Sequence, residues 1–282
     1  MKTILLPYDF SEEAENAFEF AKELATIAKG HLKLLHVIEI PSVQNFSTIG
    51  EVGVGGQDFN NIFVIELVEK RKKQMKEINK ENEGKPYQFS SKMTFGNPYA
   101  GISKEVTEIK ADIIVMGSKG ASGLEELLIG SNTEKVVRHA SCPVITIKGK
   151  ASPKAIKNII FASDFTEENE KIVSRLKEIQ SVLGAELHLV KINTPNSFES
   201  SRESKIKIKE FIMKHKLEHV THEIYNSDSE EDGIIQYAED NNIDMIAMAT
   251  HGRTGFLHLL SGSIAEDIVN HSKRPVWTMK MK

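Results

Sequence analysis

Cysteine, tryptophan and long apolar runs are all scarce in this chain. One cysteine, Cys142, and one tryptophan stand among 282 residues. Without a second thiol no intrachain disulfide can staple the fold, and Cys142 reads as a packed thiol. Unbroken apolar runs such as Ile113 to Met116 extend only a few residues, whereas a bilayer-spanning helix needs about 20. No membrane partner is expected. The opening Met1-Lys2-Thr3 passes directly into a short strand-like segment, without the apolar core of a signal peptide, which predicts a cytoplasmic location. A basic excess is missing as well: 36 Lys and Arg face 40 Asp and Glu, a formal charge of -4. Nucleic acid, whose phosphates demand a positive footprint, is therefore not an expected partner. The basic stretch Lys70-Arg71-Lys72-Lys73 is mixed with acids at helical spacing and reads as a solvated helix face.

What is present is a repeat. Thr3-Ile4-Leu5-Leu6-Pro7-Tyr8-Asp9-Phe10-Ser11-Glu12-Glu13 recurs as Asn158-Ile159-Ile160-Phe161-Ala162-Ser163-Asp164-Phe165-Thr166-Glu167-Glu168. Ala111-Asp112-Ile113-Ile114-Val115-Met116-Gly117 returns as Ile243-Asp244-Met245-Ile246-Ala247-Met248-Ala249. Both copies close on a proline-led strand, Pro143 to Lys148 and Pro275 to Lys280. A repeat of this length means two copies of one domain, and we place them at 1–149 and 150–282, with the seam near Gly149 to Lys157. Within each copy strands alternate with amphipathic helices, the pattern of a parallel sheet covered on both faces. The stripe Ala14, Ala17, Phe18, Ala21, Leu24, Ala25, Ala28 predicts a first helix stopped by Gly30, and Ile172, Leu176, Ile179 and Leu183 predict its counterpart before Gly184. The first copy carries extra sequence, 41–61, rich in glycine, which reads as a mobile loop beside the sheet edge, a plain disordered linker in the first instance and a lid in the alternative. A long charged helix follows from about Ile62 to Asn79.

Ligands of open α/β sheets bind beyond the carboxyl ends of the strands. There the first copy reads Gly117-Ser118-Lys119-Gly120, then nine residues, then Gly130-Ser131. Glycine lets a phosphate approach the backbone, and the free amides of a helix start attract anions. A phosphate chain is the ligand class this pattern predicts. The second copy keeps the spacing through Gly252, Gly262 and Ser263, but Ala249 replaces the leading glycine. Ser131-x-x-Glu134 and Ser263-x-x-Glu266 also fit capping boxes, which would satisfy the same amides internally. Asp9 and Asp164 have a structural reading too, as Asx turns. No G-x4-G-K-[S/T] occurs, and Gly53-Val54-Gly55-Gly56 lacks the dinucleotide spacing.

The first-strand Asp and the proline-led closing strand, each met twice, and the G-x2-G-x9-G-S loop, whole in the first copy and with alanine leading in the second, resemble the universal stress protein family. The resemblance implies two Rossmann-like domains of the adenine nucleotide alpha hydrolase type, each a five-stranded parallel sheet with helices on both faces. It implies ATP, with Mg, as the ligand of an adenine nucleotide site. Asp9 would contact adenine or lie against it, Val37 would present its backbone to the base, Pro7 would belong to the same site, and Gly117, Gly120, Gly130 and Ser131 would cradle ribose and phosphates. Asp164, Gly252, Gly262 and Ser263 correspond in the second copy, where Lys191 takes the place of Val37 and weaker binding is expected. The terminal strands of the two copies are expected to pair as an intrachain pseudo-dimer, with a homodimer left open. No nucleophile, base and metal carboxylate converge, so binding is expected in preference to catalysis; the resemblance implies a stress-response switch, with slow ATP hydrolysis as the alternative. A small-ligand or metal scaffold is a further alternative, through His215, His219 and His222; neither Lys119 nor His251 is assigned a catalytic role.

Overall fold

The computed structural model describes residues 1–39, 56–119, 129–166, 170–251 and 264–281, the side chains of 56–63 and 251 excepted. The first half runs β1 (Thr3–Pro7), α1 (Glu12–Ala28), β2 (His31–Ile38), α2 (Gly56–Glu81), β3 (Gln88–Phe95), α3 (Pro98–Ile109), β4 (Ile113–Gly117), α4 (Ser131–His139) and β5 (Val144–Ile147). After a 3-10 turn at Pro153–Ala155, the second half repeats the order. It comprises β6 (Asn158–Ala162), α5 (Glu170–Leu183), β7 (Glu186–Asn193), α6 (Ser201–His215), β8 (Val220–Asn226), α7 (Glu230–Asp240), β9 (Met245–His251), α8 (Ile264–His271) and β10 (Val276–Met281).

Every residue of β4 and β5 is buried, as expected of parallel strands covered on both faces. The ten strands form one sheet in the order β3-β2-β1-β4-β5-β10-β9-β6-β7-β8. Each half is parallel throughout, and the halves meet where β5 and β10 pair antiparallel, Trp277 opposite Ile145. The terminal strands thus pair as the resemblance implied.

On one face, residues of α1, α2, α5 and α6 join the sheet in a single apolar core that crosses from one half to the other. On the opposite face α3 and α4 pack in one cluster and α7 and α8 in another. Cys142 is buried there, and burial pushes its thiol up to about 12.

Two element ends differ from the sequence expectation. Helix α1 stops at Lys29, which adopts the left-handed conformation itself (φ 49°). Gly30 follows it for a different reason, since a Cβ there would lie 2.9 Å from the Lys2 carbonyl oxygen. Helix α2 begins at Gly56, six residues before Ile62, so the turn formers of the insertion reach less far than their composition suggests. Segment 40–55, which holds most of that insertion and its lid reading, lies outside the described residues.

Candidate functional site

Between β1 and β4 the chain reverses its direction of progress across the sheet. Helices α1 and α2 cover one face and α3 and α4 the other, so the carboxyl ends of these strands splay around a crevice. A cavity of about 420 Å³ opens there, a size suited to a small-molecule ligand.

One wall begins at Asp9. Its Oδ1 accepts the Ser11 amide at 3.0 Å, an Asx turn that lets Phe10 hold a left-handed backbone, φ 67°. Ser11 then caps α1, its hydroxyl accepting the Ala14 amide at 3.2 Å. The second half repeats the turn: Asp164 accepts the Thr166 amide at 3.1 Å and Phe165 has φ 56°. Aromatic packing holds Phe10, whose ring centroid stands 4.8 Å from those of Tyr8 and His36 while the Arg71 guanidinium lies over it at 4.1 Å. Because a carbonyl can only accept, His36 Nδ1 carries a proton and donates to the Tyr8 carbonyl at 2.7 Å. Burial holds His36 below its ordinary pKa, favouring this neutral form. Burial and the Glu15 carboxylate that accepts its hydroxyl push the Tyr8 phenol upward.

The opposite wall is the end of β4 and the start of α4. Gly117 lines the cavity, yet its Cβ position faces away: a side-chain carbon there would lie 2.9 Å from the Glu13 carbonyl carbon. Close packing of the first turn of α1 therefore requires this glycine, independently of any ligand. Sequence reasoning missed Glu13, whose carboxylate accepts both the Ser118 hydroxyl and the Lys119 amide and so fixes the beginning of the loop. Gly130 is the N-cap of α4, with no side-chain cap. Ser131, placed in a capping box by its spacing to Glu134, is instead the first residue of the helix. Thr133 turns inward, donating to the Gly117 carbonyl at 3.1 Å. An α-helix start leaves its first amides without intrahelical partners, and here they adjoin the cavity.

Pro7, Asp9, Val37, Gly117, Gly130 and Ser131, from four stretches of sequence, line this one cavity together with Lys119. Tyr8, Glu39, Pro98, Ile102 and Thr133 also line it and were not singled out from sequence. Pro98 could have been, because it stands at the first helical position after the N-cap Asn97, where proline is preferred. Gly120, Gly252, Gly262 and Ser263 lie outside the described residues.

One correspondence needs correction. Pro7 pairs with Leu35 and Ala162 with Val190, so Lys191 matches His36, and Ile192 matches Val37. Packing agrees: a Cβ at Gly101 would lie 3.0 Å from Val37 Cγ2, and one at Gly233 2.5 Å from Ile192 Cγ2. The expectation that Lys191 replaces Val37 was off by one residue, which in a strand moves a side chain to the other face. Lys191 points into the larger core, where it pairs with Glu199 at 2.8 Å. The histidines read as a possible metal site do not converge. His215 packs on Phe211 at 4.6 Å between ring centroids, and no group of three metal-ligating side chains occurs among the described residues.

The Universal stress protein family model matches residues 1–148 and again 155–280. The chain belongs to the universal stress protein family. Over 159 residues this family member is 37% identical to Universal stress protein MJ0577 of Methanocaldococcus jannaschii, an alignment spanning 54% of the chain and 97% of that relative. Slr1230 of Synechocystis sp., also a universal stress protein, is 24% identical over 301 residues, 99% of this chain and 100% of its own. In three dimensions the chain is similar to a universal stress protein from Archaeoglobus fulgidus, with a TM-score of 0.76 at 21% identity and coverage of 99% and 98%. That likeness extends the shared fold over both halves of this universal stress protein. No helix among its described residues is long and apolar enough to cross a membrane.

Proposed function

We propose that this universal stress protein binds ATP in the crevice of its first half and acts as a nucleotide-dependent switch in a stress response, the halves dividing at residues 149 and 150. The observation that carries the reading is convergence. Residues picked from four separate stretches by the repeat, the glycine spacing and the family resemblance line one cavity at the switch point of the sheet. Its two ends differ in the way an adenine nucleotide does. Pro7, Val37, Ile102 and Met116 offer an apolar slot beside the Asp9 carboxylate. Gly130, Ser131 and Lys119 offer an anion seat, a helix start with a cation beside it. Magnesium would arrive on the triphosphate.

Turnover is not built into this reading. Asp9 spends Oδ1 on its own turn, and the cavity presents no nucleophile paired with a base among its described residues. The test is calorimetric titration of nucleotide-free protein with Mg-ATP, alone and as Gly130→Trp. At φ -63° and ψ 139° the Gly130 backbone accepts any residue, so tryptophan should fill the anion seat without unfolding the chain. Saturable binding abolished by Gly130→Trp is expected; binding unaffected by it would move the ligand elsewhere.

A further inference from the structure

The two crevices are not equivalent, and the described part of the second shows why. Strand register places Thr194 where Glu39 stands in the first half, and the N-caps Asn97 and Ser229 place Glu230 where Pro98 stands. Both Glu39 and Pro98 line the first cavity. In the second half these two positions are tied together. The Thr194 hydroxyl donates to Glu230 Oε1 at 3.1 Å, and the Ser197 hydroxyl donates to the same oxygen at 2.8 Å. Thr194 is 2% exposed, whereas Glu39 is exposed. The chain beyond Thr194 is folded back and pinned further. Ser197 donates its amide to the Thr194 hydroxyl, Glu199 its amide to Asn193 Oδ1 at 2.9 Å, and the Glu199 carboxylate takes Lys191 at 2.8 Å together with Lys207.

Resting on the nucleotide reading of the first half, we infer that Glu230, Thr194 and Ser197 form a latch that closes the adenine side of the second crevice and determines that only the first half takes nucleotide. A carboxylate whose oxygen already accepts two hydroxyls stands where the first half presents a proline ring, so a base entering the second crevice would have to break both bonds and strip the carboxylate of its donors. The asymmetry is written at the helix start of α7 as well as in the glycine loop.

The experiment uses the full chain in the Gly130→Trp background, where the first site is blocked. Titration with Mg-ATP should then show no saturable binding while the latch is intact. Opening it with Glu230→Pro, which suits a first helical position, together with Ser197→Ala should create one binding event per chain, lost again on adding Gly262→Trp. A site present in Gly130→Trp with the latch intact and lost with Gly262→Trp overturns the latch while sparing the nucleotide reading. Failure of the unmodified chain to bind overturns both. Hydrogen exchange supplies a readout that needs no ligand: the Ser197 and Glu199 amides should be protected in the parent and exchange at least tenfold faster in Glu230→Ala. Unchanged protection, or an opened variant that keeps its melting temperature and still binds nothing, overturns the inference.

Discussion

The turn that Asp9 holds and the ligand contact proposed for it can be separated. Its Oδ1 holds the turn into α1, and it lines the cavity where the proposed nucleotide would set its base. Asp9→Asn keeps an amide oxygen for the turn and removes the charge. The melting temperature should stay within a degree or two while affinity for ATP falls by roughly tenfold, about the worth of one charged hydrogen bond; Asp9→Ala should lose both. Glu199 gives a pH signature. Hydrogen bonds from Lys191, Lys207 and Ser204 hold its carboxyl down to about 2, against an ordinary 4.5. A carboxylate depressed in the folded state binds fewer protons there than when unfolded, so its stabilisation is complete above the ordinary value and lost as pH falls towards 2. Urea midpoints should therefore favour the parent over Glu199→Gln at pH 7 and converge by about pH 2; a gap that stayed constant across this range would assign the stabilisation to another group. Asp9, Gly130 and Ser131 were legible because the repeat marks them twice. Glu13, Glu39 and Tyr8 were not, since their parts in the site depend on how α1 docks against β4 and on where the loops run.

At the scale of elements, the end of β4 is constrained by packing more than the glycine pattern suggested. Gly117→Ala would put a methyl group 2.9 Å from the carbonyl carbon of Glu13, in backbone that cannot swing away as a side-chain tip can. We expect a loss of about 1–3 kcal/mol, typical of overpacking, readable as a lower denaturant midpoint even without nucleotide. A variant of unchanged stability but weakened ATP binding would return Gly117 to a purely ligand-binding role. The strands and helices were legible because their apolar periods are strong. The register of β7 was not. In the run Leu187-His188-Leu189-Val190-Lys191-Ile192 no turn residue fixes which alternate positions face which side, and pairing with β6 and β8 sets it. The proposed latch is illegible for a related reason: Thr194 and Ser197 meet Glu230 only once the fold brings α7 to them.

The whole molecule behaves as one sheet. Its halves share the apolar core on one face and a hydrogen-bonded seam between β5 and β10. Across that seam Arg138 pairs with Glu266, and Lys148 donates to the Asn270 carbonyl at 2.6 Å. Residues 1–149 expressed alone would leave the β5 edge, which β10 covers in the full chain, without its partner, an arrangement that invites edge pairing. Such a fragment should run as a dimer by analytical ultracentrifugation at micromolar concentration, and a stable monomer would show that the seam contributes little. The repeat made two domains legible, and the resemblance supplied the seam; neither foretold that the larger core would run unbroken from one half to the other.

Joining the halves in one chain has an effect on what evolution can alter. Two identical subunits meeting along equivalent strands must carry identical crevices, and every substitution in one appears in the other. Here β5 and β10 differ in sequence yet pair with each other, and Pro98 and Glu230 occupy matching helix starts. Covalent linkage frees the second half from duplicating the first, and on the proposed reading one half would report on a small molecule while its twin served as a fixed platform against which that report is made.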